Sequence, residues 1–281
     1  MKAIIIGYGS AGRRHAKLMR KFVPSVEIVA VDPVVIDPDV LYVNTGECLL
    51  KERRFDIAVI ATPPNEHLTD IAMCVTAGTK AILCEKPLCG FGQLEQARLF
   101  VDLKNVAVAL NYRWHPEIKR VLEKGIVKKD VEWVCYSDQQ RTKWPAWTIE
   151  LDHLTHTFDT LCVLAGGQLT IDSAQTLTQV LTDGYRNRQV IRVTGKTFDN
   201  NKFMIVDDVH RNEVKKTAWI IGPYGVMDFT KDVDTMFENM WASFLHSMST
   251  DKPFAVNIKE ALYSQTLLEE AHRIMVKTEV E

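Results

Sequence analysis

An apolar strand that runs directly into three spaced glycines and then a helix leaves a chain few architectures to adopt. Lys2-Ala3-Ile4-Ile5-Ile6 is followed by Gly7-Tyr8-Gly9-Ser10-Ala11-Gly12, and a helix-compatible run extends from Arg13 to Lys21. A second apolar strand, Val26 to Val31, ends on Asp32. Each part of this spacing has a mechanical role in binding a dinucleotide. Gly7 permits the tight turn, Gly9 lets the main chain approach a pyrophosphate, and Gly12 lets the helix pack on the strand. The N–H groups around Tyr8, Ser10 and Ala11, together with the helix dipole, favour phosphate charge. Asp32 lies twenty residues past Gly12. There a carboxylate can accept hydrogen bonds from an adenosine ribose. The plainer alternative is a glycine turn with only a packing role. Its position between strand and helix, with the acid in place, favours the dinucleotide.

Asp32 points to NAD, because a carboxylate repels a 2′-phosphate. Pro33 follows it, where an Arg or Ser would suit NADP. Arg13 and Arg14 can still reach a phosphate, so NADP stays open.

At 281 residues the chain can form one large or two ordinary domains. Its 46% hydrophobic and 25% charged composition is that of a globular domain. A net charge of −2 without a basic stripe argues against nucleic acid as a partner. No apolar run approaches the roughly 20 residues of a membrane span. The N-terminal apolar stretch leads into the glycine turn, so it reads as a strand and not as a signal peptide. The six cysteines, Cys48, Cys74, Cys84, Cys89, Cys135 and Cys162, form no CxxC pair. They read as reduced core thiols of a cytoplasmic protein.

To about residue 110 the pattern alternates strand and helix, as in a doubly wound parallel sheet. Strands are expected at Ile57–Ala61, Ala81–Cys84 and Val106–Leu110, with helices at Glu66–Ala77 and Gln93–Val101. Unusual residues mark the strand ends: Gly7, Asp32, Thr62, Glu85 and Asn111. Ligands of open α/β sheets bind at such ends. Beyond Asn111 the texture changes. A helix is expected at Pro116–Lys124, a strand at Val131–Ser137 and a helix from Thr148 to Leu164. Strands then dominate: Ser173–Leu181, Val190–Thr197, Lys202–Asp207, Lys215–Ile221 and Val226–Phe229. Their alternation predicts an antiparallel sheet with one covered face. Helices return at Thr235–Ser249 and Lys259–Ile274. The expected fold is therefore an N-terminal Rossmann domain, 1–111, and an α+β domain on a mostly antiparallel open sheet, 112–281. The last helix is allowed to pack back on the first domain. The open sheet face predicts a homo-oligomer, dimer or tetramer, through residues 170–230.

Strand, Glu85-Lys86-Pro87, then a glycine-containing loop, all after the fingerprint, resembles the Gfo/Idh/MocA oxidoreductases, the glucose-fructose oxidoreductase and inositol 2-dehydrogenase relatives. The likeness includes His15, the Thr62-Pro63-x-Asn65-x-His67 segment and Asn111-Tyr112-Arg113-x-x-Pro116. It continues in Asp152-x-x-x-His156-x-x-Asp159 on a helix that closes at Gly166. The resemblance implies NAD(P)-dependent hydride transfer to or from a secondary alcohol of a sugar, sugar nucleotide or cyclic polyol. It implies a cofactor site that uses Thr62, Pro63, Asn65, His67, Glu85, Lys86 and Asn111 beside the fingerprint. A sugar-type substrate at the domain junction is also implied, with Lys86, Asp152 and His156 as the catalytic set.

The residues themselves support part of this. Lys86 sits at a strand's C-terminal end, where a cationic nicotinamide would disfavour its charge and suit it to proton exchange. A surface salt-bridge lysine is the plainer reading. Asp152 and His156 are four apart, so they share a helix face away from the stripe of Leu151, Leu154, Phe158 and Leu161. A carboxylate-oriented imidazole is a good base for an alcohol proton, although spacing alone also fits a helix-stabilising pair. His153 and His156, three apart, suggest a metal site with Asp152 or Asp159. No metal is expected, because hydride transfer in the family needs none. His153, Arg113 and Trp144 are expected to hold substrate, with Tyr112, Trp114 and Trp147 near the same junction or in ordinary packing. Two rivals remain. One is a biliverdin reductase-like enzyme, against which the Glu-Lys-Pro triplet speaks. The other is a non-catalytic nucleotide- or sugar-binding regulator, which would usually lack the lysine or the histidine.

Overall fold

The computed structural model describes every residue except 36, 38, 39, 53, 126–131, 141–147, 181–185, 211–216, 224 and 281. Within helices and strands, the side chains of 50, 136–140, 148–153, 177–180, 186–189, 209, 210, 217 and 276–280 are also outside the description. The chain divides into two compact units. One is Met1–Leu110 with Glu238–Leu262, and the other is Asn111–Phe237 with Tyr263–Glu281.

The first unit runs β1 (Lys2–Ile6), α1 (Ser10–Phe22), β2 (Glu27–Val31), β3 (Val40–Tyr42), α2 (Thr45–Glu52) and β4 (Ile57–Ile60). A 3-10 turn (Pro64–Glu66) leads to α3 (His67–Thr76), β5 (Ala81–Cys84), α4 (Leu94–Arg98) and β6 (Val106–Val108). The strands form a wholly parallel sheet in the order β3-β2-β1-β4-β5-β6. The order reverses between β1 and β4, so the ligand crevice opens at their C-terminal ends. Ile4, Ile5, Ile57, Ile60 and Ile82 are fully buried. That is why these strands read as unbroken apolar runs: helices cover both faces.

Gly7 and Gly12 explain the turn. Gly7 has φ +86°, and a Cβ there would lie 2.5 Å from the Ala61 carbonyl oxygen. A Cβ on Gly12 would lie 2.1 Å from the Gly7 oxygen. Helix and strand can approach this closely only without side chains at either place.

Two elements escaped the sequence reading. β3 is only three residues long, at the sheet edge with Leu41 exposed, so it carries no apolar run. α2 follows it at once. α4 is shorter than the expected Gln93–Val101 helix. Its last turn tightens into 3-10 bonds, with the N–H groups of Leu99, Phe100 and Val101 reaching the oxygens of Gln96, Ala97 and Arg98.

The second unit opens with a 3-10 turn (Asn111–Trp114), then α5 (Pro116–Glu123), β7 (Trp133–Gln140) and α6 (Thr148–Ala165). Five strands follow: β8 (Leu169–Val180), β9 (Arg186–Thr197), β10 (Lys202–His210), β11 (Thr217–Gly222) and β12 (Gly225–Asp228). The helices α7 (Val233–Thr250) and α8 (Ile258–Val280) each contribute residues to both units. The sheet order is β12-β11-β7-β10-β9-β8. Four of its pairings are antiparallel, but β10 and β7 run parallel. The hairpins force antiparallel pairing between neighbours in sequence. β7 and β10 are separated by a helix and two strands, so nothing forbids the parallel contact. The sheet is thus mostly antiparallel, with one parallel seam. α6 packs against β9 and β10 through the fully buried Leu154, Phe158, Leu161 and Leu164.

Among the described residues no helix is long and apolar enough to cross a membrane. All six cysteines are free thiols, five of them buried. Burial pushes Cys48 and Cys74 up to about 12, which makes them poor nucleophiles.

Candidate active site

The first cluster lies at the C-terminal ends of the parallel strands. α1 starts from Gly9, which has no side-chain capping hydrogen bond, and its first turn has no acidic residue. A Cβ on Gly9 would meet nothing within 4 Å. An uncapped helix start under open space is a fit for a pyrophosphate. Asp32, at the end of β2, is anchored by three main-chain donors. Its Oδ2 accepts from Tyr8 N–H at 2.7 Å, and its Oδ1 accepts from Val34 and Val35 at 2.9 Å each. Partial burial works against its charge, but these donors and Arg13 outweigh it and hold the carboxyl below its ordinary value. Asp32 is therefore an ionised, oriented acceptor, as a ribose diol requires. The residues present fit a dinucleotide.

Thr62 and Pro63 follow β4. The Thr62 hydroxyl donates to Asp70 Oδ2 at 2.7 Å. His67 changes role. Its ring is buried, with Nδ1 2.8 Å from the Pro87 oxygen and Nε2 2.8 Å from the Thr62 oxygen. Both nitrogens thus face main chain, and the expected direct cofactor contact is replaced by a brace. His67 ties the strand end at Thr62 to the Glu-Lys-Pro loop. Asn65 joins the same brace, because its oxygen accepts from Gln93 Nε2 at 3.1 Å. Its side chain is not needed for that.

The sequence reading missed Asp70. Burial raises its carboxyl to about 6, against the lowering effect of the Thr62 hydroxyl. An unfolded aspartate titrates near 4 (about 3.9). Between those values the folded chain holds more protons, so Asp70 makes stability fall as pH rises from about 4 to about 6. Asp70→Asn keeps an acceptor for Thr62 and removes the buried charge. It is expected to raise stability at pH 7 by about 1–2 kcal/mol, with the gain vanishing below about pH 4. Urea melts of parent and variant at both pH values check this. A gain of equal size at both would contradict it.

Glu85 leads into Lys86 and a cis Lys86–Pro87 bond. Its Oε1 lies 2.9 Å from His15 Nε2 and its Oε2 accepts from Lys86 N–H at 3.1 Å. Burial disfavours the charge, yet the His15 hydrogen bond and the nearby Lys86 hold the carboxyl below its usual value. Both carboxylate oxygens of Glu85 are thus engaged by protein groups.

The second cluster belongs to the other unit. Its 3-10 turn is stitched to α6. Tyr112 stacks on His156 with ring centroids 4.4 Å apart and planes within 8°. Phe229 stacks on Tyr112 at 5.1 Å. Arg113 holds Asp159 through Nε at 2.9 Å and Nη2 at 2.6 Å, a two-pronged pair with Asp159 almost fully buried. Removing one partner of such a pair costs about 3–5 kcal/mol. Arg113 thus clamps α6 through Asp159. His156 is buried at 7% exposure. Among the described residues the buried Asn111 side-chain oxygen has no hydrogen-bond partner, which suits a ligand N–H. Trp144 and Trp147 lie outside the described residues. So do the side chains of Asp152 and His153, although their main chain is helical. Among the described residues no group of three or more His, Cys, Asp or Glu side chains forms a metal cluster.

Residues 1–110 match the family described as the oxidoreductase family, NAD-binding Rossmann fold. This bears out the resemblance read at Glu85-Lys86-Pro87. The uncharacterized oxidoreductase C115.03 of Schizosaccharomyces pombe is 28% identical over 111 residues, covering 37% of this chain and 30% of that protein. The chain therefore spans less than a third of that relative's length. Two solved structures are similar over nearly the whole chain. The myo-inositol dehydrogenase of Corynebacterium glutamicum superposes with TM-score 0.79 at 16% identity, covering 99% of this chain and 97% of the other. The scyllo-inositol dehydrogenase of Lactobacillus casei, with bound NAD(H) and scyllo-inositol, gives TM-score 0.78 at 15% identity, with the same coverage of 99% and 97%. At these identities the likeness is one of fold.

Proposed function

We propose that this chain, whose residues 1–110 belong with the Gfo/Idh/MocA oxidoreductases, is an NAD-dependent dehydrogenase acting on a cyclic polyol or related sugar. The observation that carries this reading is the uncapped start of α1 over Gly9 beside the ionised Asp32. Inositol dehydrogenases share its fold.

The cofactor, when bound, supplies the hydride acceptor or donor at its nicotinamide. The chain does the rest. α1 holds the phosphates, and Asp32 accepts from the ribose and selects against a 2′-phosphate. Lys86 holds the reacting oxygen of the substrate and polarises it. His156, oriented by Asp152, takes the hydroxyl proton in oxidation and returns it in reduction. Tyr112 keeps the imidazole plane fixed. His153 and Trp144 contact the remaining hydroxyls. Fluorescence titration with NADH and NADPH tests the cofactor half. NADH is expected to bind more tightly, and Asp32→Ser is expected to narrow the gap. Tighter binding of NADPH by the parent protein would contradict the assignment.

We also propose a cytoplasmic homo-oligomer. Val226, Ile221, Val134 and Met204 are cross-strand neighbours in one row across four strands. Val226 and Ile221 are exposed, whereas the alternate residues Met227, Ile220, Cys135 and Ile205 are buried. A second copy of this chain would cover the row. Light scattering is expected to give at least twice the chain mass. A single-chain mass at all concentrations would contradict it.

A further inference from the structure

Within the first unit, α1, the loop after β5 and α7 converge on one buried imidazole. His15 is fully buried. Its Nδ1 accepts a hydrogen bond from the Trp241 indole N–H at 3.0 Å. An indole nitrogen only donates, so His15 Nδ1 carries no proton. An uncharged imidazole has one N–H, which must then be on Nε2. That nitrogen lies 2.9 Å from Glu85 Oε1, the group that accepts it. The other Glu85 oxygen accepts the main-chain N–H of Lys86. A single line of donors thus runs from the indole, through one ring tautomer, to a carboxylate that holds the next residue's main chain.

The proposed reaction gives Trp241 no task, and its sequence offers no hint of one: 226 positions separate it from His15. Yet it is among the largest fully buried side chains, and its polar atom points at His15 and not at a carbonyl. An apolar residue would fill the space equally well. What Phe could not do is pair Nδ1. Without the indole donor, Nδ1 is a buried lone pair that nothing satisfies, while Glu85 still holds the proton on Nε2. The ring relieves that lone pair by turning or by taking up a second proton on Nδ1, and either change disturbs the contact that anchors the carboxylate.

We propose that Trp241 is a positioning residue for the dehydrogenase reaction: through the His15 tautomer and Glu85 it fixes the main chain from which Lys86 projects. This rests on the reading of Lys86 as a group that touches substrate.

The test uses the full chain without cofactor. Nitrogen-15 NMR of labelled histidines reports the protonated nitrogen of each ring, and the His15 signals are those that vanish in His15→Gln. The expected result is a protonated Nε2 and a bare Nδ1 in the parent. A His15 ring protonated on Nδ1 would overturn the proposal without any need for a Trp241 variant. In Trp241→Phe Nε2 is expected to stay protonated, while the Nδ1 signal shifts as that nitrogen loses its donor and takes up a proton in part of the population. The variant's kcat should fall about tenfold, the scale of one buried hydrogen bond, while NADH affinity stays within about twofold. Trp241→Phe combined with His15→Gln should lose no more kcat than the worse single variant, because both act along one line. Unchanged kcat in Trp241→Phe, or losses that simply add, would overturn it. So would weaker NADH binding at unchanged kcat, which is what a packing role for the cradle predicts. Unchanged turnover in Lys86→Ala would instead strike the catalytic reading, and the tautomer result would stand apart from it.

Discussion

Lys86→Ala is expected to lower kcat by about a thousandfold while NADH affinity changes by less than about threefold. The size is that of losing a positioned proton-transfer group, on the order of 10² to 10⁴ in rate. The asymmetry follows from placement. The pyrophosphate and ribose are held by α1 and Asp32, at the ends of β1 and β2, whereas Lys86 follows β5. The main chain at Lys86 is held from Glu85, so truncating the side chain leaves its support in place. Lys86→Arg should fail almost as completely, because a guanidinium keeps the charge but does not exchange a proton near neutral pH. Steady-state kinetics with a reactive polyol, beside NADH titrations, separates the two effects. Turnover equal to the parent would make Lys86 an ordinary surface lysine.

His156→Ala is expected to be comparably severe, with kcat down by about 10² to 10⁴. Folding should survive. The lost ring contact with Tyr112 is worth about 1 kcal/mol, and the clamp from Arg113 to Asp159 one turn further along α6 is untouched. Asp159→Ala offers the contrast. It removes the Asp159 carboxylate that the 18%-exposed Arg113 guanidinium grips, so it should lower stability more than His156→Ala does. Thermal melts and kinetics on both variants tell catalysis from scaffolding. If His156→Ala retained parental kcat, the base would have to be sought elsewhere.

Much of this was legible in the residues because local chemistry marks them. The glycine fingerprint forces its turn, since Cβ atoms at Gly7 and Gly12 would collide with main chain. The apolar stripe on α6 emerged as Leu154, Phe158 and Leu161, all fully buried. What the sequence hid was partnership. His67 and Arg113 are polar residues near the expected site, and polar residues there suggest ligands. Their actual partners, two carbonyl oxygens and Asp159, are set by tertiary structure. Asp70 and Trp241 carried no signal, because a lone acid and a lone indole on helices look like surface and core. β3 was missed because three half-exposed residues at a sheet edge form no pattern. The parallel β7–β10 seam was missed because strand direction between distant segments is not written in alternation.

The central claim is hydride transfer from a ring carbon to NAD. The most direct measurement incubates the protein and NAD with cyclic polyols and sugars that carry deuterium on their carbinol carbons, and then weighs the recovered cofactor. The account predicts NADH one mass unit heavy with at least one polyol, and about a thousandfold less per unit time from Lys86→Ala. Bound NAD that gains no deuterium from any of them would contradict it.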